Sequence, residues 1–164
     1  MKKIIIAIDS FKGCLTSAEA GKAAEKGIKS INPSCHTSVI PIADGGEGLL
    51  DVLIRATKGK YITLSAHGPL MKMAKTHYGL SGNGRTAIIE MAAISGLPLV
   101  PIEQRNPMLT TTFGTGELIK DALNKGCRNF IIGIGGSATN DAGLGMLQAL
   151  GFRFLDKSGH TLGT

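Results

Sequence analysis

Lys3 to Ile8 is an almost unbroken apolar run closed by Asp9. Such a run, apolar on both alternating faces, is the pattern of a strand at the buried centre of a parallel sheet. From Thr16 the period changes. Thr16-x-x-Glu19 is a capping box, and Ala20, Ala23, Ala24 and Ile28 recur at helical spacing until Asn32-Pro33 stops them. Cys35 to Ile40 reads as a second strand and Leu49 to Ala56 as a second helix, with Lys58-Gly59 as its stop. A strand-helix-strand-helix order predicts a right-handed parallel unit.

After Gly59 the style changes. Tyr61 to Ala66, Ala74 to Leu80 and Thr86 to Glu90 alternate like strands, separated by the turn signals His67-Gly68-Pro69-Leu70 and Ser81-Gly82-Asn83-Gly84. The expectation is an antiparallel meander with a domain boundary near Gly59. A proline-bearing loop follows (Pro98, Pro101, Pro107), then a helix from about Glu117 to Lys125, then a strand over Asn129 to Ile134. Leu144 to Leu150 reads as a helix, and Phe152 to Leu155 begins a strand before the turn Asp156-Lys157-Ser158-Gly159. The sequence reaches Gly163-Thr164 in a turn-rich stretch, and its first unit has only two strands, too few for a stable sheet. The expectation is that the natural chain continues or that partner strands come from elsewhere.

Composition narrows the class. The chain has 164 residues and a formal charge of +6, but its Lys and Arg are scattered and no basic stripe interleaves with aromatics. That disfavours nucleic-acid binding and leaves a mild pull on anionic substrates. Cys14, Cys35 and Cys127 are widely spaced without a CxxC pair, which favours reduced thiols in a cytoplasmic protein. The apolar start is too short for a signal peptide and lacks a cleavage site, and no window approaches the roughly 20 apolar residues of a membrane span. The four histidines have no metal-ligand spacing, and Cys14 has no paired base nearby in sequence.

The chemistry concentrates in loops. Gly133-Ile134-Gly135-Gly136-Ser137-Ala138-Thr139-Asn140-Asp141-Ala142-Gly143 runs from a strand into a helix. Glycines there let backbone amides turn toward an anion, and a helix N-terminus behind them adds a positive dipole end. The run fits neither the Walker A loop nor the usual dinucleotide fingerprint; it reads as a phosphate cradle or as a tight turn without a ligand. Thr111-Thr112-Phe113-Gly114-Thr115-Gly116-Glu117 is a second candidate cradle, or a plain N-cap by Thr115. Ligands of open parallel sheets bind beyond the carboxyl ends of the strands, where two polar loops fall. Asp9-Ser10-Phe11-Lys12-Gly13 offers a carboxylate, a hydroxyl and a cation. Asp44-Gly45-Gly46-Glu47-Gly48 offers two carboxylates among glycines. Asp44 and Glu47 read either as holders of a magnesium ion or a substrate proton, or as helix-capping acids. Glu90, ending an apolar strand, faces a site or a rim.

These five segments, with Ala87-Ile88-Ile89-Glu90-Met91-Ala92-Ala93 among them, occur in an order that resembles the bacterial glycerate kinases that phosphorylate D-glycerate. The resemblance runs over essentially the whole chain, although members of that family are more than twice as long. It implies two α/β domains with the active site in the cleft between them: one flavodoxin-like with a parallel sheet, the other a larger mixed-sheet domain. Residues 1–60 would then begin the first domain, completed by a C-terminal part, and residues 61–164 would begin the second. The implied chemistry is transfer of the γ-phosphoryl of ATP, with Mg2+, to a hydroxyl of D-glycerate, with 2-phosphoglycerate favoured over 3-phosphoglycerate. Gly135, Gly136, Ser137, Thr139 and Asn140 would bind phosphate, with Ser10, Gly45, Gly46 and Thr115 lining the substrate and phosphate site. Lys12 would neutralise the glycerate carboxylate or a phosphate oxygen, and Asp9 would be a further catalytic residue. Asp44 would orient or deprotonate the acceptor hydroxyl, and Glu47 and Asp141 would meet magnesium. A kinase for another hydroxy or sugar acid, and a non-catalytic regulator that binds a small anion, are the rival readings. Homo-oligomerisation stays open; neither nucleic acid nor membrane is expected as a partner.

Overall fold

The computed structural model describes residues 3–162, so Met1 and Lys2 of the apolar start and Gly163 and Thr164 of the turn-rich end lie outside the described residues. Strands β1 (Lys3–Ile8) and β2 (His36–Pro41) pair in parallel, with Ile6 opposite Val39. Helix α1 (Ser17–Ile31) crosses between them and opens with the expected capping box. The Thr16 hydroxyl accepts from the Glu19 amide at 3.2 Å, and the Glu19 carboxylate accepts from the Thr16 amide at 2.9 Å. The helix lies so close to β2 that a Cβ at Gly21 would stand 2.3 Å from Val39 Cγ1. The strand β1 is nevertheless not the buried central strand expected. Ile5 is 60% exposed and Ile40 of β2 is 48% exposed. One face of this two-stranded sheet meets α1, and the other is open among the described residues.

The second sheet has the order β3-β4-β5-β6. Strands β3 (Lys60–His67), β4 (Met73–Leu80) and β5 (Thr86–Glu90) form the expected antiparallel meander. Strand β6 (Asn129–Gly133) then pairs with β5 in parallel, which makes the sheet mixed. In β5, Ala87, Ile88 and Ile89 are all fully buried, although successive side chains point to opposite faces. Both faces are therefore covered. Ala87 and Ile89, with Ala66 and Tyr78, pack against Leu118, Ile119 and Ala122 of α4 (Phe113–Asn124). Ile88 packs against Leu50 and Ile54 of α2 (Leu49–Thr57). Each such fully buried aliphatic side chain contributes roughly 1.5–3 kcal/mol. Gly79 makes room for α2: a Cβ there would come within 2.8 Å of Leu50 Cδ1.

Two expectations change. The boundary read near Gly59 lies after α2 in sequence, but α2 packs on the second sheet, so the change of packing unit falls in the loop before Leu49. The helix α4 also begins at Phe113 rather than near Glu117. Its N-cap residue Thr112 makes no local side-chain cap; instead its amide and hydroxyl both donate to Asp141 Oδ2 at 2.8 Å. A carboxylate from a distant loop thus starts the helix, a cap that no local pattern announces. The short helices α3 (Ala92–Ser95) and α5 (Leu144–Ala149) and the hairpin of β7 (Phe154–Leu155) and β8 (Thr161–Leu162) complete the elements. None of the described helices is long and apolar enough to cross a membrane, and none of the three cysteines is in a disulfide.

Candidate active site

The polar loops leave the carboxyl ends of β1, β2, β5 and β6 and meet at one end of the molecule. At the end of β1, the Asp9 carboxylate accepts from the Ser10 amide at 2.6 Å. Ser17 ties the two strand ends together: its hydroxyl donates to the Ile8 carbonyl at 2.6 Å and accepts from the Ile42 amide at 3.1 Å. Lys12 sits exposed in a turn closed by the Phe11 amide donating to the Leu15 carbonyl at 2.8 Å. At the end of β2, Asp44 is exposed and its Oδ1 accepts from the Gly46 amide at 3.1 Å. Gly45 (φ 98°) and Gly48 (φ 89°) take left-handed backbone that other residues adopt at a cost.

The glycine run after β6 lies directly against that loop. The Gly135 amide donates to the Gly45 carbonyl at 3.2 Å. A Cβ on Gly135 would stand 2.7 Å from Gly46 Cα, and one on Gly133 would stand 2.5 Å from the Gly45 oxygen. The glycines are thus required for backbone to touch backbone. Gly136 (φ 76°) turns the chain, and Ser137 forms a β-bridge with Gly96. The bonds flanking this bridge run from Leu97 to the Gly136 carbonyl (2.9 Å) and from Ala138 to the Ser95 carbonyl (3.0 Å). In such a non-hydrogen-bonded pair the Ser137 amide itself points away from its neighbour. Gly136 and Ser137 are both exposed, so the turn can present its amides to an anion.

The side chains of this run do other work than expected. The Ser137 hydroxyl accepts from the Thr139 amide at 3.1 Å, and the Thr139 hydroxyl donates to the Thr110 carbonyl at 2.7 Å. Both hold the loop in shape. The Asn140 amide donates to the Pro107 carbonyl at 3.2 Å, while the residue itself is exposed. Asp141 does not present a free carboxylate to a metal. Besides the Thr112 donors, its oxygens take the amides of Gly143 at 3.0 Å and Gly145 at 3.2 Å. Burial alone would raise its carboxyl, but these bonds together outweigh that and hold it below the usual range. Thr115 is likewise corrected as a contact residue: it lies inside the first turns of α4, 1% exposed, with its hydroxyl 2.9 Å from that of Ser95.

Beside the joined loops opens a cleft of about 550 Å³ between the start of α1 and the face made by α2, β3, β4 and β5. Of the residues singled out in the sequence, Ser10, Glu47 and Glu90 line it; Lys12, Asp44 and the glycine run lie outside its walls. Asp51, Arg55, Tyr61 and His77 line it too and were missed. They sit at outward positions of a helix and two strands, where a solvated face and a site wall read alike. The Tyr61 hydroxyl donates to the Asp51 carboxylate, and that bond, then burial, pushes it up to about 12. Its ring meets His77 edge-on at 5.5 Å. Glu90 lines the cleft as well, half-buried, with Oε2 accepting from the Leu50 amide at 3.3 Å. Burial chiefly pushes its carboxyl up; the Leu50 and Gly48 amides pull back, and the charges of Asp51 and Glu47 add to the burial. Among the described residues no three His, Cys, Asp or Glu side chains gather closely enough to hold a metal ion. Asp141 is bonded to Thr112, and Glu47 stands in the cleft wall.

A sequence model of the glycerate kinase family matches residues 4–164. The chain belongs to the glycerate kinase family. Within the family it is 55% identical over 161 residues to the glycerate kinase of Bacillus subtilis (strain 168), covering 98% of this chain and 42% of that protein. It is 51% identical over 161 residues to the glycerate 2-kinase of Escherichia coli (strain K12), again covering 98% of this chain and 42% of the relative. A crystal structure of a proposed glycerate kinase 2 from Salmonella typhimurium LT2 superimposes with a TM-score of 0.81 at 49% identity, over 98% of this chain and 44% of that one. The α/β architecture is therefore that of a solved family structure, and the chain spans less than half the length of these relatives.

Proposed function

We propose that this chain carries the phosphate-cradle side of a cytoplasmic, ATP-dependent kinase whose acceptor is D-glycerate and whose product is 2-phosphoglycerate. The observation that carries this reading is the contact between the two glycine loops, in which the Gly135 amide meets the Gly45 carbonyl beside the cleft. It places a turn able to hold phosphate next to a loop bearing Asp44 and Glu47. The name of the Escherichia coli relative, glycerate 2-kinase, supports the position of transfer. ATP would supply the phosphoryl group, and magnesium on its phosphates would neutralise their charge, with Glu47 within the same cleft to meet it.

Catalysis of phosphoryl transfer is largely positioning and charge neutralisation. The backbone of Gly135, Gly136 and Ser137 would hold the phosphates, and Asn140 the edge of the same turn. Lys12, from the loop that starts with Asp9 and Ser10, would meet an anionic oxygen as a point charge. Asp44, whose own oxygen is steadied by the Gly46 amide, would orient the acceptor hydroxyl.

The test is magnesium-dependent ATP consumption by the protein at its relatives' full length, with the phosphorylated product identified by NMR. Consumption that requires D-glycerate and yields 2-phosphoglycerate is the expected result. A folded protein that consumes ATP only with another hydroxy acid moves the acceptor. One that binds anions without consuming ATP makes it a regulator.

A further inference from the structure

Glu90 is the group in the cleft that the reading above leaves without a task. It ends β5, opposite Gly133 on β6, so it stands where the glycine run begins. Its carboxylate reaches across to the first turn of α2, which follows the acidic loop. One residue thus joins the glycine run's strand through its backbone and the helix after the acidic loop through its side chain, in the wall of a cleft of about 550 Å³. Asp44, by contrast, is exposed, outside the cleft walls, with one oxygen turned onto its own loop.

We propose that Glu90 takes the proton from the acceptor hydroxyl as that oxygen attacks the γ-phosphorus, while Asp44 orients the acceptor. This rests on the kinase reading given above. In the step, the acceptor O–H bond breaks and its proton passes to a Glu90 carboxylate oxygen. The oxygen's electron pair forms the new O–P bond. The bond from the γ-phosphorus to the bridging oxygen breaks, and its pair leaves with ADP. The protonated Glu90 then returns its proton to water.

The surroundings suit a base. A half-buried carboxylate with its proton affinity raised accepts a proton more readily than a solvated one, and general-base catalysis works best when that affinity approaches the working pH. The charged and titratable groups around it come from every wall. Glu47 and Asp51 at the start of α2 favour the protonated form. Arg55 of α2, Tyr61 of β3 and His77 of β4 line the same cleft.

The experiment compares wild type with Glu90→Gln, Glu90→Ala and His77→Gln at the relatives' full length, with ATP, magnesium and D-glycerate. The carbonyl oxygen of Gln can still accept from the Leu50 amide, so Gln preserves a purely structural role and removes only the base. Expected for Glu90→Gln is a fall in kcat of about 100-fold with the melting temperature kept, KM for both substrates moving less than about threefold, and loss of the acidic limb of the kcat/KM profile. That limb persists in His77→Gln, which assigns it to Glu90. If Glu90→Gln keeps wild-type kcat and its acidic limb while Glu90→Ala melts lower, Glu90 is only a brace and the proposal is overturned. If wild type itself shows no D-glycerate-dependent consumption, the kinase reading has failed and the proposal falls with it.

Discussion

Asp141 shows how one carboxylate can join the starts of two helices. Its carboxylate gathers the N-terminus of α4, through Thr112, and the entry to α5, through Gly143 and Gly145. Helix N-termini favour a negative charge, and bonds to an ionised acceptor are about twice as strong as neutral ones. Asp141→Asn keeps the shape but loses the charge and turns an amide toward donors. A loss of about 2 kcal/mol of stability is expected at neutral pH, read by chemical denaturation. The native carboxyl titrates below its unfolded value, so its stabilisation is full above the unfolded value of about 4 and is lost as pH falls through the lower native one. The penalty of the variant should therefore shrink in acid. An equal penalty at neutral pH and below the native value would mean that shape, not charge, does the work.

Among the elements, the α4–α5 contact depends on close approach. A Cβ at Gly145 would stand 2.0 Å from Thr111 Oγ1 and 2.8 Å from the Phe113 amide, and one at Gly116 would stand 2.3 Å from the Met146 carbonyl. The two helices meet through backbone, and the glycine run is suspended between β6 and this pair. Gly145→Ala overpacks the contact and is expected to cost about 1–3 kcal/mol. It should also raise KM for ATP more than KM for D-glycerate, because the displaced element anchors the cradle rather than the acidic loop. Equal effects on both constants in steady-state kinetics would place the cradle's support elsewhere.

Over the whole molecule, stability is unevenly spread. The second sheet holds the main core and is covered on both faces at β5. The first has two strands, with Ile5 and Ile40 exposed. Local opening follows burial and contact density, so hydrogen exchange should be slowest in β5, β6 and α4 and faster in β1 and β2. Equal protection in the two sheets would show that the open face of the first is covered in solution. The cleft lies where the well-supported and the less-supported unit meet, so relative movement of the two would change its width.

The strands and helices were legible because each carries its own period: the capping box at Thr16, the alternation in the meander, the buried run that ends at Glu90. The glycine loops were legible as places of close backbone approach, because such approach demands glycine wherever it occurs. Local pattern stops at the partner. The start of α4 depends on Asp141, far along the chain, so Thr115 read as a loop hydroxyl and proved to be a core one. The alternation of β3 and β4 cannot say that Tyr61 and His77 face a cleft rather than water, and nothing in the order of elements sends α2 to the second sheet instead of the first. The sequence by itself determined most of the elements, the family and the position of the polar glycine loops at the strand ends, since these rest on neighbours along the chain. Only the tertiary structure decided which carboxylates are committed and which line the cleft, since burial and hydrogen-bond partners are set by residues distant in sequence and near in space.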